Sequence, residues 1–288
     1  MKIAVASGKG GTGKTTVSTN LFYAVKEIAG ETVDFLDCDV EEPNSGIFLK
    51  GTPVNEKEVL TKIPVIDPGK CTFCGRCVHF CEAHAILMVK SIGHIAVMED
   101  LCTSCGACVY ACNDGAITEK DKSLGKVREF SIGDSRFLEG EINIGTAFAT
   151  PVIKKVKAGI KDENLTIIDS PPGTSCPVIE TVSDVDYVVL VTEPSPFGLH
   201  DLKLMVETLR QTGNRFGVVI NRAGFDFPDI YNYLKEEKIE LLLEIPFDRK
   251  SAENYAHGKL LIDDNEKLKR DLQDMYRKIR KITQEDKG

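Results

Sequence analysis

No stretch of the 288-residue sequence approaches the roughly 18 uninterrupted apolar residues that a membrane-spanning helix needs. Nor does it open with a basic segment followed by an apolar one, as a secretory leader would. Positive charge is in deficit: 36 Lys and Arg face 44 Asp and Glu, a formal net charge of −8. That balance speaks against nonspecific nucleic-acid binding through a basic surface. Together these absences predict a cytoplasmic protein with no nucleic-acid partner and no stable membrane insertion. The composition is otherwise that of an ordinary globular protein, 42% hydrophobic and 28% charged. The length suits one large domain, alone or with a small companion.

Disulfides are rare in that compartment, so ten cysteines need another explanation. Eight of them fall between residues 71 and 112, and none follows 176. Such clustering indicates metal ligation and not a disulfide framework spread along the chain.

Short apolar runs bounded by turn residues predict buried strands at 2–7, 32–37, 165–169, 187–192, 216–221 and 241–245. Helical periodicity follows the first run at Val17, Leu21, Val25 and Ile28, with Gly30 as a stop. Further helices are expected at 199–211 and 228–238. Strands alternating with helices imply an α/β fold: a doubly wound, mostly parallel sheet covered on both faces. A last amphipathic pattern, Leu268, Leu272, Met275, Ile279 and Ile282, is dotted with acids and lacks large aromatics. Packing on the core is therefore expected of it ahead of membrane binding.

Residues 64–122 break the rhythm. Cys71, Cys74, Cys77 and Cys81 recur as Cys102, Cys105, Cys108 and Cys112, each 31 residues later, and Ala85-Ile86 recurs as Ala116-Ile117. A repeat that extends beyond the cysteines predicts one folded unit duplicated. The expected organisation is an α/β domain in two parts, 1–63 and 123–288, with a small domain inserted at 64–122.

The segment Gly8-Lys9-Gly10-Gly11-Thr12-Gly13-Lys14-Thr15-Thr16 stands between a strand and a helix, the setting of a phosphate-binding loop. Its glycines let backbone N–H groups turn toward phosphates, and the helix N-terminus adds partial positive charge. Lys14 is expected to reach the β- and γ-phosphates of ATP and Thr15 to hold Mg²⁺. A glycine-rich turn with no ligand is the plain alternative.

With Lys9 added, the loop resembles the deviant phosphate loop of the MinD/Mrp/nitrogenase-iron-protein superfamily of dimeric ATPases. The resemblance implies that Lys9 crosses a nucleotide-sandwich dimer, a homodimer or a heterodimer with a paralogue, to the partner's phosphates. A positive group brought to such a transition state contributes roughly 10³–10⁵ in rate. Residues 36–44 resemble the family's first switch, which implies that Asp39 orients the attacking water and Asp37 lies near the Mg²⁺ shell. Residues 167–175 resemble the second switch, with Asp169 holding Mg²⁺ through water and Gly173 sensing the γ-phosphate. Carboxylates at strand C-termini are where open α/β sheets bind ligands. Residues 219–224 and 244–248 resemble the base-binding segments, with Asn221 and Arg222 at the adenine edge and Pro246, Phe247 and Asp248 beside the ring. The resemblance runs from residue 1 to about 262, outside the insertion.

The insertion resembles bacterial two-cluster ferredoxins. Two C-x₂-C-x₂-C-x₃-C runs are a specific pattern for two [4Fe–4S] clusters, in which the fourth cysteine of each run serves the other cube. Cys71, Cys74, Cys77 and Cys112 are then expected to hold one cluster, and Cys102, Cys105, Cys108 and Cys81 the other. The usual proline after each fourth cysteine is replaced by Glu82 and Asn113. Zinc is the alternative, although four-cysteine zinc sites usually space their two pairs more widely. Cys38 reads as a small buried hydrophobe. Cys176 lies near the place of a dimer-bridging cluster ligand in the nitrogenase iron protein, but a second such ligand has no evident counterpart.

A nucleotide switch and a redox centre on one chain resemble the MinD-superfamily ATPases with an inserted ferredoxin domain. The first expectation is an ATPase that gates electron transfer to a redox partner protein. The second is a carrier or assembly ATPase for iron–sulfur or other metallocofactors, although Mrp-like carriers use a C-terminal C-x-x-C pair that this chain lacks. The third, a MinD-like spatial positioner, gains nothing from clusters.

Overall fold

The computed structural model describes residues 1–285. In chain order the elements are β1 (Lys2–Ser7), α1 (Lys14–Lys26), β2 (Val33–Asp37), β3 (Thr52–Ile66), α2 (Arg76–His79), β4 (Ile86–Val89), β5 (His94–Val97), α3 (Ala107–Ala111), β6 (Ile117–Ile132) and β7 (Ser135–Ile142). They continue with α4 (Thr150–Lys157), β8 (Leu165–Pro172), α5 (Cys176–Val182), β9 (Tyr187–Thr192), α6 (Pro196–Thr212), β10 (Phe216–Ala223), α7 (Pro228–Glu236), β11 (Leu241–Pro246), α8 (Arg249–Ala256) and α9 (Glu266–Glu285). Nine strands form one sheet in the order β11-β10-β9-β1-β8-β2-β7-β6-β3. From β11 through β7, neighbours run parallel.

Two compact units emerge. The larger comprises Met1–Lys57, Val127–Glu141 and the chain from Ala149 onward; the smaller comprises Glu58–Lys126 and Ile142–Phe148. The smaller unit reaches beyond the expected 64–122 to 58 and 126 along β3 and β6, which run unbroken through those positions, and it takes in 142–148 as well. Proline at 53 and 64 did not break β3, which lies at a sheet edge where a missing donor is tolerated.

In the larger unit, alternation decides the faces. Ile3, Val5, Val33, Phe35, Leu165, Ile167, Val189, Val191 and Val219 share one core with α1 and α9. Their neighbours Ala4, Leu36, Ile168, Leu190 and Ile220 are buried too, on the other face, where α4, α5 and α6 pack. Strands buried on both sides read as continuous apolar runs, which is why they were legible in sequence. The C-terminal helix α9 closes the first face with Leu268, Leu272, Met275, Tyr276 and Ile279, all at most 6% exposed. No helix among the described residues is long and apolar enough to cross a membrane.

The smaller unit has an internal two-fold repeat. Phe73 and Gly75 adopt positive φ, as do Ser104 and Gly106 31 residues later, and each pair precedes a short helix, α2 or α3. Asp67 N–H donates to Ala116 O (2.8 Å) and Met98 N–H to Ala85 O (2.7 Å), two bonds that interchange under the same 31-residue shift. Ile86 and Ile117 join Cys77 and Cys108 in one small core.

Leu272 is fully buried between α1 and the sheet. Leu272→Ala is expected to cost about 2–5 kcal/mol of stability, read as a lower denaturation midpoint with an unchanged slope.

Candidate functional site

The phosphate loop begins at the C-terminal end of β1, where the sheet stops and the chain must reverse into α1. Two glycines are dictated by close approach. A Cβ on Gly8 would lie 2.4 Å from the Asp201 carbonyl oxygen in α6, and one on Gly13, at φ +94°, would lie 2.1 Å from Asn221 Nδ2. Gly10 and Gly11 face open space. Thr12 is buried, and its hydroxyl has no partner among the described residues.

Lys14 opens α1 with its side chain only 7% exposed and its ammonium 3.2 Å from Asp169 Oδ1 and 3.3 Å from Asp39 Oδ2. The adjacent Thr15 hydroxyl donates to Asp169 Oδ2 at 2.7 Å. Asp169 leaves β8 beside Asp37 at the end of β2, in parallel register. Asp37 accepts the N–H groups of Asp39 and Ser45, each at 3.0 Å. Three carboxylates therefore meet one lysine and one hydroxyl. Burial works against the Lys14 charge, but Asp169, Asp39 and Asp37 outweigh it and hold its pKa above the usual lysine value. Burial, then the Asp169 charge, pushes Asp37 up to about 8. Burial likewise raises Asp39, against the pull of Lys14. A divalent cation beside these groups would relieve that crowding of negative charge, as Mg²⁺ in a nucleotide site does.

Gly173 turns at φ +94° and its N–H donates to Ser7 O at 2.9 Å, which brings the segment that follows β8 to the loop. Beyond Gly13, a cavity of about 270 Å³ is walled by Thr16, Asn221, Arg222, Pro246, Phe247 and Asp248, among others. Asn221 Nδ2 donates to Thr12 O (2.8 Å), and Asn221 Oδ1 accepts from Arg222 N–H (2.9 Å), so its amide braces the loop. Asp248 caps α8 by accepting from Ser251 N–H at 2.9 Å. Tyr255 and Ser251 of α8 also line the cavity. Sequence reasoning missed them because α8 is polar and carries no apolar period.

Lys9 does not point into open solvent. Its ammonium is 2.7 Å from Glu193 Oε1, and Arg222 Nη1 is 2.8 Å from Glu193 Oε2. Glu193 was missed as well, although its place just beyond the C-terminal end of β9 marks it by the same rule that marks Asp169.

In the smaller unit, Cys71, Cys74, Cys77 and Cys112 line one pocket, with Thr72, Phe73, Arg76 and Met88 around them. The exposure of the four repeats in the second set: Cys71 and Cys102 are half-buried, Cys74 and Cys105 exposed, Cys77 and Cys108 buried, Cys81 and Cys112 half-buried. Ala85 N–H donates to Cys81 Sγ (3.2 Å) and Ala116 N–H to Cys112 Sγ (3.3 Å). Burial raises the Cys77 thiol and pushes Cys108 up to about 11. Among the described residues no three His, Cys, Asp or Glu gather closely enough for a single metal ion. Glu82 and Asn113 are exposed, and exposed His79 rests edge-on against Phe80. Cys38 is buried and Cys176 exposed.

Residues 3–262 match the CobQ/CobB/MinD/ParA nucleotide binding domain. The chain belongs to this family. Among its relatives, an uncharacterized protein of Methanocaldococcus jannaschii is 33% identical over 270 residues, 92% of this chain and 93% of that protein. The iron-sulfur cluster carrier protein of the same organism is 24% identical, covering 89% of this chain and 76% of its own length. The MinD–Mg-ADP complex of Pyrococcus horikoshii shares the fold at a TM-score of 0.59, with 20% identity over 98% of this chain and 96% of that one. Membership in the CobQ/CobB/MinD/ParA family supports nucleotide binding and, in general terms, hydrolysis.

Lys14→Ala removes the cation between Asp39 and Asp169 and leaves those buried carboxylates facing one another. ATP hydrolysis is expected to vanish, and binding of a fluorescent ADP analogue with Mg²⁺ to fall at least tenfold. Gly13→Ala is expected to abolish binding in the same titration, through clash and a strained φ.

Proposed function

We propose that the protein is an ATP-hydrolysing dimeric switch coupled to two [4Fe–4S] clusters, and that it gates electron transfer to a partner protein. The observation that carries this reading is the meeting of Cys112 with Cys71, Cys74 and Cys77 at one pocket, 35 residues after the last of the three. A fourth cysteine supplied by the other run is what a two-cluster unit requires. The backbone N–H groups aimed at Cys81 and Cys112 suit thiolates, whose charge they lower in energy. Cys102, Cys105, Cys108 and Cys81 would form the second set, related by the repeat. Bound clusters would supply one-electron chemistry; the chain's own part is to ligate, bury and position them.

At the front of the chain, Lys14 would meet the β- and γ-phosphates, Thr15 and Asp169 the Mg²⁺, and Asp37 its outer shell. Asp39 would orient the attacking water. The cavity bordered by Asn221, Arg222 and Pro246–Asp248 is large enough for a purine, with Phe247 and Tyr255 as apolar walls. Lys9 would act on the nucleotide of a second copy of the chain, or of a paralogue.

The names of relatives favour a second reading, an iron–sulfur carrier or assembly ATPase. Two four-cysteine runs with the spacing of resident cubes favour the first.

Full-length protein purified without oxygen is expected to carry iron and acid-labile sulfide sufficient for two cubes, with Cys74→Ala retaining about half and its ATPase core still folded. Lys9→Ala is expected to lose most hydrolysis at unchanged iron content. With the clusters reduced by dithionite, oxidation by a viologen acceptor should change rate when Mg-ATP is added. Equal rates would remove the coupling, and transfer of iron and sulfide to an apo-ferredoxin would favour the carrier.

A further inference from the structure

Glu193, at the loop mouth, grips two cations at once. Its side chain is 18% exposed, and the carboxylate takes Lys9 on one oxygen and Arg222 on the other. Ser195 Oγ stands 3.4 Å from the oxygen that holds Lys9. Arg222 sits at φ +54°, a backbone position that non-glycine residues seldom occupy. Its N–H donates to Asn221 Oδ1, and the Asn221 amide returns to Thr12 O. These bonds close a ring that begins at residue 9 of the phosphate loop and ends at residue 12 of the same loop. Burial works against the Glu193 charge, but Lys9 and then Arg222 hold its pKa below the usual value, so it is ionised at neutral pH.

A lysine engaged this way is not free to serve a neighbour. We infer that Glu193 is a positioning residue that keeps Lys9 on its own protomer, and that transfer of Lys9 from Glu193 to a phosphate held by a second copy is the exchange that accompanies dimer closure. The inference rests on the proposed cross-dimer role of Lys9. Arg222 makes the exchange feasible, because the carboxylate stays paired after Lys9 leaves and no buried charge is stranded. The pair is partly exposed, so its hold is modest, a few-fold in an equilibrium constant. A symmetric dimer must break two such pairs, and the factor is then squared.

The test uses the full chain with Mg²⁺ and AMPPNP, an ATP analogue that resists hydrolysis. Sedimentation equilibrium is expected to give Glu193→Gln a dimer dissociation constant roughly three- to thirtyfold below wild type, and Glu193→Asp, which keeps the carboxylate, a value near wild type. The second readout is local. In the nucleotide-free chain, an amine-acylating reagent followed by mass spectrometry should label Lys9 several-fold faster in Glu193→Gln than in wild type, with other lysines unchanged. A general loss of negative charge at an interface would tighten the dimer without altering that labelling. Unchanged Lys9 labelling, or dimers no tighter than wild type, overturns the role of Glu193. Lys9→Ala that dimerises and hydrolyses as wild type does overturns the cross-dimer role itself, whatever Glu193→Gln does.

Discussion

The Lys14 ammonium, enclosed by Asp169 and Asp39, is the interaction on which the rest of the nucleotide-binding face depends. A buried cation is tolerable only when paired, and buried carboxylates only when neutralised or bonded. Here each condition satisfies the other. Asp169 takes Lys14 and Thr15 together, which joins the end of β8 to the start of α1. Asp37, one strand over, satisfies its oxygens with the N–H groups of Asp39 and Ser45, and so shapes the segment that follows β2. A triphosphate with its cation would exchange these pairings for others of the same kind.

A second constraint is steric. The approach of α6 to Gly8 and of Asn221 to Gly13 leaves no room for a side chain on the loop at either point. The loop is fixed between β9's exit, where Glu193 sits, and β10's exit, where Asn221 and Arg222 sit. All three residues lie at C-terminal ends of parallel strands, where an open α/β sheet exposes its polar groups.

How far the sequence disclosed this depends on the kind of signal. β1, β8, β9 and β10 were legible because strands buried on both faces are unbroken apolar runs. α9 was legible because Leu268, Leu272, Met275 and Ile279 keep helical spacing. The 31-residue repeat was legible because ligand-type residues recur with Ala-Ile at a fixed offset. The long strands β3 and β6 were not: β3 is exposed along most of its length, so residues such as Asn55, Glu56 and Lys57 carry no apolar alternation. β7 alternates poorly because Glu139 and Glu141 occupy it, paired with Arg128 of β6. Glu193 was invisible for another reason: an ion pair between residues 184 positions apart leaves no local trace. Loop glycines announce a phosphate site, but the partner of a lysine is decided by the fold.

Arg128 stands where the chain passes between the two units. It pairs with Glu56 in β3 and with Glu139 and Glu141 in β7, and the smaller unit begins at Glu58, ends its first span at Lys126 and resumes at Ile142. One guanidinium thus joins the larger unit's portions of β3, β6 and β7. Glu139 is also the register partner of Asp37, across the parallel pair β2 and β7. From the carboxylate cluster beside Lys14, the covalent and hydrogen-bonded route therefore runs through Asp37, across to Glu139 and into Arg128, all within the larger unit. An arginine that answers three carboxylates on two strands leaves none of those charges stranded beside Asp37, so the brace belongs to the larger unit and to its carboxylate cluster.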